Sequence, residues 1–249
     1  MRHYGAVTLF PDFFAPLVAH GVVGRAIRAG VVDFATFNPR NFCLDRHRSV
    51  DDAPFGGGPG MVMRVGPLRA AIAAGRAALH GPRVILLSPQ GRRLDQAGVA
   101  ALAAWPGLLL VCGRYEGIDE RLVGRDIDEE WSLGDFVLSG GEPAALALLD
   151  AVSRTLPGVL GDAESAARDC FSDGLLAHPQ YTRPEILDGE AVPAILLSGH
   201  HAEIARWRRK QALGRTAVRR PDLLAARGLS PEEAALLVEY QAERAPAVG

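Results

Sequence analysis

The stretch LLLVCGRYEG, residues 108–117, joins an apolar run to a loop that contains glycine. A short apolar run bounded by such a loop is typical of a strand buried on both faces of a parallel sheet. Four further runs of this kind are AVTLF (6–10), VVDFATF (31–37), RVILLS (83–88) and FVLSG (136–140). Segments with helical spacing lie between and beyond these runs, over 12–29, 66–80, 96–104 and 142–156. The alternation predicts an α/β fold with a mostly parallel sheet.

The character of the sequence changes after Leu156. Prolines and glycines recur over 157–198 and indicate loop or linker structure there. Helical spacing returns over 201–213 and 221–227, and Ser230-Pro231-Glu232-Glu233 has the cap, early proline and acids that open a helix. We therefore predict an α/β domain over 1–160, a linker over 161–174 and a small helical domain over 175–249.

Composition and missing motifs narrow the class of protein. The chain has 249 residues, 48% of them hydrophobic, and its three cysteines include no CxxC pair. A disulfide framework and a metal site are therefore not expected. The sequence has neither a signal-peptide pattern nor a run of 18 apolar residues, which predicts a soluble, cytoplasmic protein. It also lacks the GxxxxGK[ST] pattern of a P-loop.

Loops that contain glycine follow three of the predicted strands: SPQG (88–91), CGRYEG (112–117) and LSGGEP (138–143). Ligands of parallel sheets bind at the carboxyl ends of the strands, and glycine lets the backbone approach a ligand closely. Any one of these loops could be only a tight turn. Three at one edge indicate a site built mainly from backbone, suited to a ligand with an adenine edge and hydroxyl groups.

Basic residues are concentrated in RWRRKQALGRTAVRR (206–220), which carries seven basic side chains and no acid. Such a stretch is either a solvated helix face or a surface that binds phosphate. Repulsion among its charges favours an anionic partner. The net charge of −2 argues against a general polyanion binder.

Longer strings along the chain carry a family resemblance. They are LLSPQGRRLDQ (86–96), LVCGRYEGIDERL (110–122), DEEWSLGDFVLSGGE (128–142), AVSRTLPGVLG (151–161) and LSGHHAEIARWRRKQALGRT (197–216). Together with FPDFF and DDAPFGGGPGM near the start, they closely resemble bacterial tRNA (guanine-N1)-methyltransferases. The resemblance implies a SPOUT-class enzyme with a deep trefoil knot. It would work as a homodimer with composite active sites, in which the knot of one chain meets the linker of the other.

The resemblance also implies the chemistry and its residues. The enzyme would transfer a methyl group from S-adenosylmethionine to N1 of the guanosine 3′ of the anticodon in tRNA; whether Mg²⁺ takes part stays open. Asp169 would be the general base and Arg154 would assist the guanine. The donor would be bound by Pro89, Gly113, Glu116, Ser132, Leu133, Gly134, Asp135, Phe136, Val137, Leu138, Gly140 and Gly141. The RNA would be bound by basic residues of the last domain: Arg208, Arg209, Lys210, Arg215, Arg219 and Arg220.

Three positions depart from the family pattern: Arg168 and Cys170 replace an acid and a serine on either side of Asp169, and Leu86 replaces a tyrosine that often precedes the LSP motif. Two other functions remain open from the residues alone. One is an RNA-binding protein without turnover, which would not need both Asp169 and Arg154. The other is an enzyme for a small molecule with a nucleotide cofactor, which would not need the basic stretch. Binding of S-adenosylmethionine, but not of NAD or ATP, separates these hypotheses from a methyltransferase.

Overall fold

A computed structural model describes residues 1–161 and 169–244. The chain divides into two compact units, Met1–Ala163 and Glu164–Gly249. In the first unit, five strands form one sheet in the order β2-β1-β6-β5-β7, and every neighbouring pair is parallel. They are β1 (Arg2–Val7), β2 (Val32–Phe37), β5 (Arg83–Arg93), β6 (Gly107–Cys112) and β7 (Glu129–Ser132). The predicted mostly parallel sheet is confirmed.

Helices cover the sheet, and most begin and end close to where the sequence predicts. The α-helices of the first unit are α1 (Ala15–Ala19), α2 (Gly21–Arg28), α3 (Val65–Ala78), α4 (Gln96–Ala104), α5 (Glu120–Asp126) and α6 (Glu142–Ser153). Short 3₁₀ helices form at Pro11–Phe14 and Pro39–Phe42, and a small antiparallel pair joins β3 (Asp51–Asp52) to β4 (Val62–Met63). Sequence reasoning missed α5, which begins where the Asp119 carboxylate accepts a hydrogen bond from the Arg121 backbone N–H at 3.0 Å.

The segment 12–29 is helical, as its spacing predicts, but it does not form one continuous helix. Its apolar spacing is helical, but the backbone is extended at His20 (φ −129°, ψ 175°) and left-handed at Gly21 (φ 64°). These two residues end α1 and start α2, so the segment packs as a 3₁₀ turn and two short helices.

The two faces of β6 belong to two different hydrophobic cores. Leu108 and Leu110 pack in the cluster with α2, α4 and α6, whereas Leu109 and Val111 pack in the cluster with α3. All six residues of this central strand are buried. Side chains alternate across a strand, so a strand buried on both faces must be apolar at every position. This explains why the run over 108–112 is continuous rather than alternating.

Two predictions at the edge of the sheet need correction. FVLSG (136–140) is an irregular loop and not a strand, and its apolar side chains are exposed. The strand in this region is β7, whose sequence EEWS buries only Trp131 and Ser132. Its charged half is stabilised in another way, since the Arg83 guanidinium donates to the Glu129 carboxylate at 2.7 Å. The predicted loop SPQG also lies within β5, whose pairing with β7 shifts register between Leu87 and Arg92.

Within residues 169–244, the second unit packs the α-helices α7 (His201–Arg219), α8 (Pro221–Arg227) and α9 (Pro231–Arg244). Before them come the short strands β8 (Ile186–Leu187) and β9 (Glu190–Ala191) and a 3₁₀ turn, Ala194–Leu197. Leu175, Leu213 and Leu236 form the centre of its core. A Cβ at Gly214 would collide with the Tyr240 ring, so glycine allows α7 and α9 to pack closely. Among the described residues, no helix is long and apolar enough to cross a membrane.

The predicted start of the last helix is confirmed in detail. The Ser230 hydroxyl accepts a hydrogen bond from the Glu233 N–H at 3.2 Å, and the Glu233 carboxylate accepts one from the Ser230 N–H at 2.9 Å. This reciprocal pair is a capping box, which satisfies two N–H groups that the helix cannot pair internally.

Candidate functional site

A cleft of about 340 Å³ lies in the first unit, at the edge of the sheet where β6 and β7 end. It is lined by residues from the second half of β5 and from the loops after β6 and β7. The lining includes these residues predicted to bind the donor: Pro89, Gly113, Glu116, Ser132, Leu133, Gly134, Phe136, Val137, Leu138, Gly140 and Gly141. Asp135 does not line the cleft and is exposed. The structure thus brings together residues spread over more than fifty positions of sequence.

Two glycines of the cleft, Gly140 and Gly141, are required by close contacts between loops. The Gly141 N–H donates to the Gly113 carbonyl at 2.9 Å. A Cβ on Gly141 would lie 2.7 Å from the Cα of Cys112, which is backbone and cannot turn away. A Cβ on Gly140 would collide with the Arg114 side chain. The loop after β7 therefore lies directly on the end of β6, and the cleft wall there is mainly backbone.

A buried ion pair holds these loops together. Glu142, the first residue of α6, is fully buried and accepts hydrogen bonds from the Thr8 hydroxyl and from the Arg114 Nε, each at 2.8 Å. Arg114 also donates to the Ser139 carbonyl at 3.1 Å. Its guanidinium carbon lies 4.5 Å from the centre of the Phe10 ring, at a cation–π distance. The network joins the ends of β1 and β6 to the loop that precedes α6.

Two polar side chains at the ends of β6 and β7, Cys112 and Ser132, have structural roles. The Ser132 hydroxyl bonds to both backbone groups of Gly134, donating at 3.0 Å and accepting at 3.1 Å, and so fixes the turn after β7. Burial, and next the charge of Glu142, raise the pKa of the Cys112 thiol well above its usual value. Cys112 therefore stays protonated at neutral pH, which excludes it as a nucleophile.

Exposed apolar side chains border the same cleft. Phe136 and Val137 are 54% and 87% exposed, and Tyr115 is 47% exposed with a left-handed backbone (φ 60°). Few residues as large as tyrosine adopt this conformation, and such strain is concentrated at ligand sites. A loop that leaves large apolar groups in water is suited to cover a ligand or to contact another chain.

The two predicted catalytic residues occur in different units. Arg154 directly follows α6 in the first unit, and its N–H donates to the Asp150 carbonyl at 3.1 Å. Asp169 lies in the second unit, in a turn whose Ser172 N–H donates to the Asp169 carbonyl at 3.3 Å. Arg168 lies outside the described residues. The Cys170 thiol accepts a hydrogen bond from the Ala177 N–H at 3.2 Å, so sulfur here supports the turn.

The basic stretch is largely neutralised by acids from other elements. Lys210 is 7% exposed and its ammonium group pairs with Glu243, while Arg209 pairs with Asp173 and Glu233. Arg220 pairs with its neighbour Asp222 at 2.6 Å. Within residues 1–161 and 169–244, an acidic partner is not observed for the remaining predicted RNA contacts: Arg208, Arg215 and Arg219.

The family model described as tRNA (Guanine-1)-methyltransferase TrmD matches residues 2–226. The tRNA (guanine-N(1)-)-methyltransferase of Methylococcus capsulatus is 60% identical over 241 residues, which cover 96% of each chain. The proteins of that name from Serratia proteamaculans and Proteus mirabilis are each 58% identical over 240 residues, covering 96% of this chain and 94% and 96% of theirs.

The chain belongs to the tRNA (guanine-1)-methyltransferase family.

In this member of the tRNA (guanine-1)-methyltransferase family, sequence reasoning missed the buried network of Thr8, Arg114 and Glu142. Thr8 and Glu142 are 134 positions apart, and Arg114 is 28 positions from Glu142. In the sequence Glu142 resembles an ordinary acid in a first helical turn.

Proposed function

We propose that this chain transfers a methyl group from S-adenosylmethionine to N1 of the guanosine 3′ of the anticodon in tRNA. Family membership supports the reaction and the tRNA substrate. One observation supports the location: the glycine-walled cleft at the carboxyl edge of the sheet, lined by residues from β5 and from the loops after β6 and β7. We infer a SPOUT fold with a deep trefoil knot from the family, and a cytoplasmic location from the tRNA substrate.

The cleft suits the donor in size and chemistry. Its volume of about 340 Å³ lies within the usual range for small-molecule sites, roughly 300–1,000 Å³. Gly113 and Gly140 let the backbone approach the edge of an adenine and hydroxyl groups closely, and Leu138 offers apolar contact. Glu116 supplies a carboxylate for the cationic end of the donor. When bound, S-adenosylmethionine supplies an electrophilic methyl group on a sulfonium ion.

The proposed chemistry needs a base and a stabilising cation. Guanine N1 carries a proton and is a poor nucleophile until that proton is removed. Asp169 would accept this proton, and Arg154 would donate hydrogen bonds to O6, where negative charge develops. Most of the rate gain would come from holding N1 in line with the methyl group.

We propose that two copies of the chain form each site. The two predicted catalytic residues occur in separate units, and a cyclic dimer offers the same pair of surfaces twice. In this arrangement Asp169 of one protomer serves the cleft of its partner. The exposed apolar loop with Phe136 and Val137 supports a contact between chains, because large apolar groups gain most when water is removed from them.

The second unit is proposed to bind tRNA through those arginines that keep their charge available. Arg208 lies beside a groove of about 950 Å³ that is also lined by Tyr181 and Arg183. The Tyr181 ring is 6.4 Å from that of Trp207, centre to centre. Basic and aromatic side chains in one groove are typical of surfaces that bind single-stranded nucleic acid. Removing the exposed Arg219 should lower the salt slope of tRNA binding by about one unit or slightly less.

Methyl transfer from labelled donor to tRNA transcripts tests the proposal. We expect product with guanosine at the target position and none with adenosine there, because only guanine carries the N1 proton beside O6. Calorimetry should show binding of S-adenosylmethionine to the protein alone, and no binding of NAD or ATP. Donor binding without methyl transfer to any tRNA transcript would contradict the proposed reaction.

A further inference from the structure

The turn that carries Asp169 is fixed to the helical unit through its backbone. The Phe171 N–H donates to the Leu175 carbonyl at 2.7 Å, which closes the turn. Leu175 is only 2% exposed and packs in the core of the helical unit. The next residue, Leu176, donates its N–H to the Thr216 hydroxyl of α7 at 2.9 Å. Asp169 is therefore attached to a packed element.

Four charged residues add a second attachment, which we call the clamp: Asp173, Arg209, Arg227 and Glu233. Arg209 of α7 bonds to the carboxylates of both Asp173 and Glu233. Arg227 of α8 donates from Nε to the Asp173 carbonyl at 2.6 Å, and from its terminal nitrogens to Glu233 at 2.7 and 3.0 Å. The turn is thus bonded to α7 and α8, and both arginines are also bonded to Glu233 of α9.

The clamp has little freedom to rearrange. The Glu233 carboxylate also accepts the Ser230 N–H in the capping box of α9, and this bond to the backbone fixes its position. Hydrogen bonds from Arg227 hold the pKa of Glu233 well below its usual range, so it stays charged. A Cβ on Gly174 would lie 2.8 Å from Cδ of Arg227, so the turn lies directly against this arginine.

We propose that the clamp is a positioning device for the general base, and this proposal rests on the proposed function. Asp173 is four positions from Asp169 in one hydrogen-bonded turn, so the direction of the Asp169 carboxylate depends on where Asp173 is held. A general base acts only within hydrogen-bond reach of its proton, and a displacement of about 1 Å can cost about 10²-fold in rate. Arg209, predicted above as an RNA contact, is thereby assigned to positioning.

The Arg209→Ala variant separates positioning from RNA binding, with Arg206→Ala as its matched control. Arg206 is on the same helix and pairs with Glu239, away from the turn, so its removal deletes the same charge without touching the clamp. At saturating donor and tRNA, we expect the single-turnover rate of Arg209→Ala to fall about 10- to 100-fold. Its affinity for tRNA, the salt slope of that affinity and the affinity for S-adenosylmethionine should match those of Arg206→Ala.

Two further measurements distinguish positioning from general stability. Amide hydrogen exchange at Phe171 and Leu176 should be faster in Arg209→Ala than in Arg206→Ala. Arg209→Lys should recover part of the rate, because it restores one charged bond to Asp173. If Arg209→Ala fails to fold, Asp173→Asn takes its place, and we expect it to lower the single-turnover rate in the same way.

Three results would overturn the clamp as a positioning device. One is a single-turnover rate within threefold of wild type for both Arg209→Ala and Asp173→Asn. Another is a loss of rate that follows a loss of tRNA affinity and salt slope, since Arg209 would then be a phosphate contact. The third is unchanged amide exchange in the turn. A wild-type chain that methylates no tRNA contradicts the proposed function instead, and amide exchange still reports on the clamp.

Discussion

Replacing Glu142 with glutamine removes one charge from the ion pair beneath the cleft and keeps the shape of the side chain. The carboxylate is fully buried, and the side chain of its partner Arg114 is only 14% exposed. An amide group can still accept a hydrogen bond from the Thr8 hydroxyl. The NH₂ group of the glutamine then faces the N–H groups of Arg114, so two hydrogen-bond donors are opposed and no acceptor is left for Arg114 at that position.

The structure sets the size of the effect. Breaking a buried ion pair by removing one partner typically costs about 3–5 kcal/mol. Arg114 keeps some stabilisation, because its guanidinium lies 4.5 and 5.6 Å from the ring centres of Phe10 and Phe13. Such cation–π contacts contribute about 0.5–2 kcal/mol. We therefore expect Glu142→Gln to lower the free energy of unfolding of the first unit by about 2–3 kcal/mol.

Donor affinity should fall together with stability. Arg114 donates to the Ser139 carbonyl, so a displaced guanidinium releases the loop that precedes Gly140 and Gly141. We expect S-adenosylmethionine to bind about tenfold more weakly, equivalent to about 1.4 kcal/mol.

Urea unfolding followed by tryptophan fluorescence, to which the buried Trp131 of the first unit contributes, measures the stability change. Calorimetry measures donor affinity. The double variant Arg114→Met, Glu142→Leu is the control: without any buried charge it should recover much of the stability but not the donor affinity. A Glu142→Gln protein within 0.5 kcal/mol of wild type, with unchanged donor affinity, would refute the reasoning.

Three further predictions concern the cleft, the base and the helical unit. Gly141→Ala should destabilise the first unit by about 1–3 kcal/mol and weaken donor binding, because its Cβ meets the backbone of β6; Gly124→Ala, with open space around its Cβ, should stabilise by about 0.5–1 kcal/mol in the same urea assay. Asp169→Asn should lose about 10²–10⁴-fold in single-turnover methyl transfer and keep donor affinity by calorimetry; a rate within threefold of wild type would remove Asp169 from the mechanism. Arg227 lowers the folded-state pKa of Glu233, so this pair stabilises the helical unit fully above the unfolded glutamate pKa of about 4.3. The stabilisation is lost as the pH falls from that value towards the folded-state pKa, and acid titration followed by circular dichroism should show the loss. Glu233→Gln should remove that part of the pH dependence.

The sequence predicts the centre of the sheet well and its edge poorly, for one physical reason. A strand with neighbours and helices on both faces must be apolar throughout, as over 108–112, so its pattern is unambiguous. At the edge, β7 has water on one side and stabilises its charges by ion pairs such as Glu129 with Arg83. The loop over 136–140 has the composition of a strand, but its apolar side chains line the cleft. Composition alone cannot distinguish apolar residues of a buried strand from apolar residues that line a cleft.

The basic stretch shows the limit of counting charges along the chain. Its seven basic residues form a single-sign run in the sequence. In the fold, Glu233, Glu239 and Glu243 of α9 lie against α7 and neutralise Arg209, Arg206 and Lys210. These acids follow their partners by 24 to 33 positions, beyond any local window. The cleft residues, in contrast, occur in contiguous strings, so the glycine loops indicate the site and the family resemblance adds the individual residues.

The position of Lys210 has a practical consequence for labelling. It is the only lysine in the sequence, it is 7% exposed, and its ammonium group is bonded to Glu243. An amine-directed reagent therefore meets almost no accessible side-chain amine while α7 and α9 stay packed. The ε-amino group becomes reactive when these helices separate, so its rate of acylation measures how often the helical unit opens locally. The same chain needs no engineered tag for this measurement, because its other 26 Lys/Arg side chains are all arginine, which amine-directed reagents do not acylate.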